Sequence, residues 1–572
     1  MSRYVVSVFT VFCVAFGYVG AECDVLASTE SGRICGVKRW AETGTIYDQT
    51  KTVYASFRGI PYAKQPLGEL RFKELQPAET WDDVFDASVE GPICPQHDIL
   101  YGRLMKPRNV SEACINANIH VPLYAMPGFK NWRQRPLPIF VFVHGGGFAF
   151  GSGDTDLHGP EFMVQRDMIV VTFNYRINVF GYLSLNSSSI PGNNGLRDII
   201  TFLRWVKNNA KYFGGDPENI TLGGQSAGAA NVHLLTLSKA AEGLFKRAIL
   251  MSGTALPTFY SGSPIYAQFV ANSFLTVLGI NATDPEEIHD QLVSMPIEQI
   301  MQANQIVQDH IGITAFMPVV ETAFPGVTTV LDEDPVVLVA NGVGKDIPLL
   351  VGFTSSESET FRPNFERLDM LARVKGNPLA LLPIDLIYKL PLKTALESAD
   401  RIEKRYLNGQ PTMDKYVQLT SDVYFKYPAL QLAKLRMSMI DAAPMYLYQF
   451  SYEAEFNVIA KSKGIKYSGA GHIEDLTFIF KTNSMQDVKG YLPRSSVDTT
   501  MTIWMTMLVQ NFINCDKPTC TPLHISAWPP VSSSPTIYYQ NIKGPYIKYQ
   551  KISEELSEVV EFFEGLYNQT RT

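Results

Sequence analysis

Residues 224–228 read Gly-Gln-Ser-Ala-Gly and lie between a short apolar run, Ile220 to Leu222, and a segment with helical character, Ala229 to Leu237. A Gly-x-Ser-x-Gly stretch between a strand and a helix is typical of a nucleophile elbow, a strained turn that carries a serine at the carboxyl edge of a sheet. The flanking glycines let other backbone segments come close. The stretch therefore predicts an exposed nucleophile, Ser226, in an α/β fold.

Around this stretch, short β-branched runs alternate with helical patterns. Leu137 to Val143 and Met168 to Phe173 have the composition of buried strands, and apolar residues recur on one helical face from Leu196 to Asn209. Further predicted elements are the strands Ala248 to Met251, Ile347 to Phe353 and Met445 to Phe450 and a C-terminal helix around Leu556 to Phe563. This alternation predicts a mostly parallel sheet flanked by helices.

Two long intervals, Thr254 to Lys345 and Glu359 to Ala442, lack this rhythm and have a helical or irregular composition. We expect them to be insertions that wall the site around the serine. No internal repeat or low-complexity linker divides the chain, so residues 22–572 are expected to form one catalytic domain.

A glycine-rich loop is predicted to complete the serine site. Residues 144–148, His-Gly-Gly-Gly-Phe, follow the strand Leu137 to Val143 and match the loop that supplies oxyanion-hole amides in lipases and esterases. A tetrahedral oxyanion needs donors already aimed at it, and glycines let backbone N–H groups approach without a Cβ in the way. We assign these donors to Gly146, Gly147 and Ala227. A flexible glycine turn without this role is the alternative.

The serine needs a histidine base, because its hydroxyl is a poor nucleophile at neutral pH. In chains with this kind of elbow, the order along the sequence is the serine, then the acid, then the histidine. His472 follows the loop Gly469 to Gly471 and the predicted strand before it, and it is the favoured base. The other histidines beyond the serine are His233, His289, His310 and His524, of which His524 is the remaining alternative.

A carboxylate must hold that histidine in the right tautomer and stabilise its protonated form. The natural place is the end of the strand Ile347 to Phe353, where both Glu357 and Glu359 occur. Local reasoning does not separate these two. The chemistry requires neither a cofactor nor a metal.

Composition excludes several classes of partner. The chain has 572 residues, of which 46% are hydrophobic and 18% charged, so a large core is expected. Its formal net charge is -7 and no basic run occurs, which argues against nucleic acid and anionic membranes as partners. A small apolar ester is the expected partner, and the oligomeric state is not readable from the sequence.

The N-terminus predicts a signal peptide over residues 1–21. Arg3 precedes an apolar stretch, Val5 to Phe16, and the small residues 19–21 provide a cleavage site after Ala21. The stretch is short for a bilayer span, although an N-terminal anchor is the alternative. The polar tail from Tyr567 argues against a lipid anchor. We therefore expect a secreted, extracellular protein without a membrane anchor.

Cysteines and sequons agree with secretion. Without Cys13 of the predicted signal peptide, an even number of cysteines remains, as an oxidising compartment favours. Pairing neighbours in sequence is the simplest arrangement, but spacing does not fix it for Cys23, Cys35, Cys515 and Cys520. The candidate glycosylation sites are Asn109, Asn186, Asn219, Asn281 and Asn568.

Beyond these patterns, the chain resembles the carboxylesterase and cholinesterase family over essentially its whole mature length, which implies the α/β-hydrolase fold. The stretches that carry the resemblance are residues 57–63, 66–68, 71–72, 111–112 before Cys114, 144–148, 174–176 and 213–217. The family's Gly-x-x-x-x-Glu pattern matches residues 352–357 and so implies Glu357 rather than Glu359 as the acid. Its His-x-x-Glu/Asp motif, followed by an aromatic-rich strand, matches His472, Asp475, Phe478 and Phe480.

The resemblance also implies three scaffold contacts. These are a disulfide between Cys94 and Cys114 and the ion pairs of Arg71 with Glu112 and of Arg176 with Asp198. The chain departs from the family's usual residues at Ala113, Ile199 and Ser358, which puts the local packing of the pocket in doubt.

Within the family, the chain resembles the juvenile hormone esterases of insects, because Gln225 stands beside the serine where most members have Glu. An uncharged neighbour suits an uncharged substrate, here a sesquiterpenoid methyl ester. The loop from Cys94 to Cys114 has no Trp, and Tyr101 is its only aromatic residue, so choline esters are not expected. The alternatives are a general, dietary or odorant- or pheromone-degrading esterase and a noncatalytic cell-surface adhesion member of the family.

Overall fold

The structure is a computed structural model. It describes residues 23–41, 52–106, 109–129, 135–256, 262–489, 491, 496–520, 528–544 and 548–570. The predicted signal peptide and His524 lie outside these residues. No helix among them has the length and apolar composition that a bilayer span requires.

The described residues contain one large sheet. Its strands are Val25–Thr29 (β1), Gly32–Ala41 (β2), Thr52–Pro61 (β3), Phe85–Asp86 (β4), Asn116–Pro122 (β5), Leu137–Val143 (β6), Ile169–Phe173 (β7), Gly215–Gln225 (β8), Arg247–Met251 (β9), Leu349–Thr354 (β10), Met445–Phe450 (β11), Tyr538–Ile542 (β12) and Lys548–Lys551 (β13). The spatial order is β1-β2-β3-β5-β7-β6-β8-β9-β10-β11-β12-β13, and β4 pairs with β2.

The centre of this sheet is parallel. The strands from β7 through β6, β8, β9, β10 and β11 to β12 pair in parallel, whereas β1, β2, β3 and β5 at one side and β13 at the other pair antiparallel. Every residue of β7 and β9 is buried. Parallel strands covered on both faces are mostly apolar, and both strands are so apart from Thr172 and Arg247.

Both faces of the sheet carry helices. Along β6, Ile139 and Val141 belong to one apolar core and Phe140 and Phe142 to another, because successive side chains point to opposite faces. The helices are Asn178–Tyr182 (α1), Asn194–Asn209 (α2), Ala227–Thr236 (α3), Pro264–Leu278 (α4), Pro285–Ser294 (α5), Ile297–Ile311 (α6), Pro335–Ala340 (α7), Arg362–Arg367 (α8), Met370–Gly376 (α9), Ile384–Lys389 (α10), Leu392–Ile402 (α11), Met413–Ser421 (α12), Tyr427–Met437 (α13), Val458–Lys463 (α14), Ser496–Cys515 (α15) and Glu554–Tyr567 (α16). Residues of α2 and α3 pack in the first core and residues of α15 in the second.

The two long intervals that lack strand rhythm are helical. The first contains α4 to α7, and the second contains α8 to α13, which with α16 surround a third apolar core. Local signals explain where these helices begin. Asp284, for example, accepts a hydrogen bond from the amide of Glu287, and Pro285 occupies the first position of α5.

The parallel core agrees closely with the sequence prediction. β6 and β11 have the predicted bounds, and α2, α3, β7, β9 and β10 differ from them by no more than two residues at either end. β8 is longer than predicted, since it begins at Gly215 rather than Ile220. The strands β1 to β5 on one side of the sheet, and β12 and β13 on the other, were not predicted.

Candidate active site

The predicted elbow is present at the end of β8. Ser226 has φ 58° and ψ −128°, its amide donates to the carbonyl of Met251 over 2.8 Å, and α3 begins at the next residue. A Cβ at Gly224 would come within 2.5 Å of the carbonyl carbon of Gly228. Only a residue without a side chain therefore allows the two sides of the turn to pack this closely. Ser226 is 6% exposed, so the prediction of an exposed serine is wrong. The strained turn presents it at the carboxyl edge of the sheet, but surrounding segments cover it.

The glycine-rich loop at 144–148 lies directly against this serine. A Cβ built on Gly145 would be 3.0 Å from the Cβ of Ser226, and Gly146 and Gly147 have φ values of 111° and 60°. Within the described part of the chain, nothing accepts a hydrogen bond from the amides of Gly146, Gly147 or Ala227. Three unpaired backbone donors are therefore available beside Ser226.

The structure separates the two candidate acids. Glu357 Oε2 lies 2.6 Å from Nδ1 of His472, and both side chains are buried. The other oxygen of Glu357 accepts from the amide of Thr354 over 2.7 Å. Glu359 instead binds Arg362 through both oxygens, at 2.7 and 2.9 Å.

Gln225 makes a contact that sequence reasoning missed. Its Nε2 lies 3.0 Å from Nε2 of His472. The carboxylate of Glu357 accepts a hydrogen bond, so the ring proton lies on Nδ1 and Nε2 is an acceptor. The amide of Gln225 therefore donates to the nitrogen that a catalytic base would use. Because Gln225 immediately precedes Ser226, the same contact places the elbow against His472.

Apolar side chains from the helical insertions surround the histidine and the glycine loop. The rings of Phe361 and Phe425 lie 5.2 and 4.6 Å from the imidazole of His472, measured between centroids. On the other side, Ile313 and Thr314 approach Gly147 most closely. The walls of the site thus come from both insertions, as predicted.

The other described histidines after Ser226 have different roles. His233 accepts from the amide of Ala255 over 2.9 Å, and burial lowers its pKa to about 3. His289 contacts the carbonyl of Arg71, and His310 contacts the carbonyl one turn earlier in α6. None of the three contacts Glu357 or the elbow.

The segment after His472 differs from the prediction. Residues Glu474–Phe478 form a short 3₁₀ turn, not an aromatic-rich strand. Ile473 before it has a φ of 79°, which turns the chain back into the core, and every residue of the turn is buried. Phe480 packs on Phe142 of β6, with centroids 4.8 Å apart. The aromatic residues therefore fill the core beneath the sheet and do not extend it.

Two buried carboxyl groups lie in this turn. Burial, together with the charge of Glu357, raises the pKa of Asp475 to about 7, and its Oδ2 accepts from the hydroxyl of Tyr448 over 2.9 Å. Burial likewise raises the pKa of Glu474 to about 7. The ring of Tyr448 crosses Gly352, where a Cβ would overlap it. The glycine that opens the Gly-x-x-x-x-Glu pattern thus makes room for the partner of Asp475.

The scaffold contacts implied by resemblance are all present. Cys94 and Cys114 form a disulfide. Arg71 binds Glu112 at 2.5 Å and Arg176 binds Asp198 at 2.6 Å. Tyr101, in the loop that the disulfide closes, is buried against Phe150 at a centroid distance of 5.3 Å. The remaining pairs, Cys23 with Cys35 and Cys515 with Cys520, are those nearest in sequence.

The five sequons differ in exposure. Asn109, Asn186, Asn281 and Asn568 are exposed. Asn219 is half-buried, and its side-chain oxygen accepts from Arg247 over 2.7 Å. An asparagine engaged in this way is a poor acceptor for a bulky glycan, which must lie on the surface.

The model of the carboxylesterase family matches residues 25–557. The chain belongs to the carboxylesterase family. It is 49% identical over 550 residues to a juvenile hormone esterase of Heliothis virescens, an alignment that covers 96% of this chain and 95% of the relative. The crystal structure of a Manduca sexta juvenile hormone esterase with OTFP covalently attached superposes with a TM-score of 0.89 at 50% identity, covering 95% of this chain and 99% of that one. A thermophilic pNB esterase superposes with a TM-score of 0.73 at 27% identity, covering 94% and 99%.

These similarities confirm the fold class and the enzyme class. The carboxylesterase has the α/β-hydrolase fold and is a carboxylic ester hydrolase. The alternative of a noncatalytic adhesion protein is not supported.

Proposed function

We propose that this carboxylesterase hydrolyses juvenile hormone, a sesquiterpenoid methyl ester, to its acid and methanol. The observation that carries the proposal is the nearly full-length similarity, at 49% and 50% identity, to the juvenile hormone esterases of Heliothis virescens and Manduca sexta. The uncharged Gln225 beside Ser226 and the phenyl rings beside His472 suit an uncharged, apolar ester.

In the proposed mechanism, the amide of Gln225 gives up its contact with Nε2 of His472, and this nitrogen takes the proton of Ser226 as the serine oxygen attacks the ester carbonyl. The 2.6 Å contact with Glu357 fixes the tautomer of the imidazole and stabilises its protonated form. The amides of Gly146, Gly147 and Ala227, which have no other described acceptor, hold the oxyanion. Collapse of the tetrahedral intermediate breaks the ester bond, and the protonated His472 gives its proton to the departing methoxide, which leaves as methanol.

Hydrolysis of the acyl-enzyme repeats these steps with water. His472 takes a proton from water, the hydroxide attacks the acyl carbonyl, and the proton returns to the oxygen of Ser226 as the acid leaves. The apolar rings of Phe361 and Phe425 restrict bulk water around the imidazole. Such a dry surrounding strengthens the charge interactions that the reaction uses.

The same proposal includes secretion as one catalytic domain, after removal of residues 1–21. The described cysteines all pair, in three disulfides, and four of the five sequons are exposed. Disulfides persist in oxidising compartments and are rare in the cytosol. Sequencing the N-terminus of the protein from a culture medium tests the cleavage after Ala21.

The substrate is tested by rates on two esters in parallel. We expect the enzyme to hydrolyse labelled juvenile hormone at nanomolar concentration with a much higher kcat/KM than a short acetate such as p-nitrophenyl acetate. Ser226→Ala should abolish both activities and covalent labelling by an organophosphonate while leaving the thermal unfolding temperature unchanged.

The proposed substrate and the proposed triad are rejected by different results. A strong preference for the acetate would reject the hormone as substrate and favour a general, dietary or odorant-degrading esterase, but would leave the triad intact. Substantial activity of Ser226→Ala on either ester would reject the triad itself.

A further inference from the structure

Three side chains of the kinds that bind metal ions lie close together. The proposed reaction uses none of them. Glu69, His289 and Asp290 each bring one potential ligand atom to within 4.8 Å of the others. Glu69 lies in the short helical turn Gly68–Leu70, and the other two side chains lie on α5 of the first insertion. His289 is 3% exposed, whereas both carboxylates are exposed.

The histidine presents a lone pair to this cluster. Nε2 of His289 lies 3.0 Å from the carbonyl oxygen of Arg71. A carbonyl only accepts hydrogen bonds, so in the neutral ring Nε2 carries the proton and Nδ1 is an acceptor. Among the described residues Nδ1 receives no hydrogen bond, and the carboxylate of Asp290, itself an acceptor, is 4.0 Å away. A cation at this cluster would give the unpartnered nitrogen of a buried ring a partner and would balance the charge of the two carboxylates.

The surroundings hold this histidine as a metal ligand is usually held. Metal-binding imidazoles generally donate their second N–H to a carbonyl or carboxylate, which fixes the ring. Here the carbonyl belongs to Arg71, whose guanidinium binds Glu112 at 2.5 and 2.7 Å and the carbonyls of Leu292 and Met295 at 2.6 and 2.8 Å. The backbone that positions His289 is therefore tied to both the N-terminal part of the chain and the end of α5.

The ligand set selects a class of cation. One imidazole and two carboxylates suit zinc and neighbouring late transition metals, whereas calcium and magnesium prefer oxygen ligands alone. Zinc bound at about 2.0–2.2 Å needs ligand atoms roughly 3.4 Å apart. Because the side chains of Glu69 and Asp290 are exposed, rotation about their own bonds supplies the small approach required. Water completes the coordination on the open side.

We propose that Glu69, His289 and Asp290 form a surface site for a zinc-class divalent cation. The cation links the turn at 68–70 to α5, and so ties the first insertion to the N-terminal part of the molecule. The site is structural, because no ligand belongs to the proposed triad or oxyanion hole, and it is independent of the proposed substrate.

The test uses the tag-free full chain after treatment with EDTA and removal of the chelator. Titration with ZnCl₂ in a calorimeter should show one saturable site, and the thermal unfolding temperature should rise with zinc concentration. Asp290→Asn and Glu69→Gln change exposed side chains, so each should keep the zinc-free unfolding temperature and the esterase rate. Each should weaken zinc binding roughly tenfold or more, since loss of a direct ligand costs at least as much as loss of an outer partner.

Glu286→Gln, an exposed change on the same helix outside the cluster, is the matched control and should bind zinc like the unaltered protein. Binding that is absent at 100 micromolar zinc overturns the site. Equal zinc affinity of Asp290→Asn and the unaltered protein also overturns it, because the ion would then bind elsewhere. Binding of calcium in preference to zinc would reject the class of cation.

Discussion

Glu357 and Glu359 are separated by one residue but face different partners. Glu357 is buried against His472, whereas Glu359 pairs with Arg362 in a partly exposed position. Glu357→Gln should lower kcat/KM by about 10³ to 10⁴, because the imidazole loses the group that fixes its tautomer and stabilises its charge. Glu359→Gln should stay within about threefold, since a partly exposed ion pair contributes little. Steady-state kinetics of both variants on a methyl ester test this difference. A comparable loss of kcat/KM in both variants would contradict the assignment of Glu357 as the acid.

Gln225 offers a second test at the residue scale. Replacing it with Glu puts a carboxylate 3.0 Å from Nε2 of His472, where the amide now donates. A negative neighbour stabilises the protonated imidazole, which is inactive as a base, so the acidic limb of the pH–rate profile should move to higher pH. The shift should exceed about half a pH unit at low ionic strength and shrink in salt. An unmoved limb would show that residue 225 does not act on the base.

Sequence reasoning alone singled out Ser226, because the elbow has a fixed local pattern. It favoured His472 because the loop Gly469 to Gly471 directly precedes this histidine. It could not choose between Glu357 and Glu359, since both follow the same strand. That choice depends on which side chain turns into the core, and only the family pattern supplied it. The contact of Gln225 with His472 was missed, because it joins residues that are far apart in the chain.

At the scale of elements, the turn Glu474–Phe478 places a buried carboxyl group near Glu357, and this group makes stability depend on pH. Burial and the charge of Glu357 raise the pKa of Asp475 from 3.8 to about 7. Between about pH 4 and 7 the folded protein keeps a proton there that the unfolded chain has lost, so the free energy of unfolding falls as the pH rises.

Asp475→Asn should remove this dependence while its amide oxygen still accepts from Tyr448. Between pH 4.5 and 7.5 we therefore expect the variant to lose less stability than the unaltered protein, by on the order of 2–4 kcal/mol. Thermal unfolding of both proteins across this range provides the comparison, and Glu474, whose pKa is also raised, is common to both. Parallel curves would contradict the raised pKa of Asp475.

Strands were predictable where their residues are nearly all apolar. β6 and β11 could be bounded from the sequence because parallel strands covered on both faces form nearly continuous apolar runs. The strands outside this set were missed because they are partly exposed, as β2 and β13 are, or because polar residues alternate along them, as in the fully buried β5. The strand expected after His472 came from the family motif and not from the residues themselves, and the positive φ of Ile473 shows that the chain reverses there.

At the scale of the whole molecule, three disulfides close loops of different length. Cys94 and Cys114 are 20 residues apart, and Cys515 and Cys520 only five. Loop entropy alone assigns about 3 kcal/mol to the longer loop and about 2 kcal/mol to the shorter. Changing Cys94 and Cys114 together to Ala should therefore lower the unfolding temperature more than the same change at the other pair. Scanning calorimetry of the two double variants provides the ranking, and a larger effect of the short loop would contradict it.

The overlap between Gly352 and the ring of Tyr448 has an evolutionary consequence. A side chain at residue 352 and the ring of Tyr448 would occupy the same space on the sheet. A lineage that replaces Gly352 by a larger residue must therefore replace Tyr448 by a smaller one. Replacing Tyr448 in this way removes the phenol that donates to Asp475, three residues after His472. A glycine that takes no part in the chemistry is thereby fixed by a tyrosine on the neighbouring strand, and the two should be lost or retained as a pair.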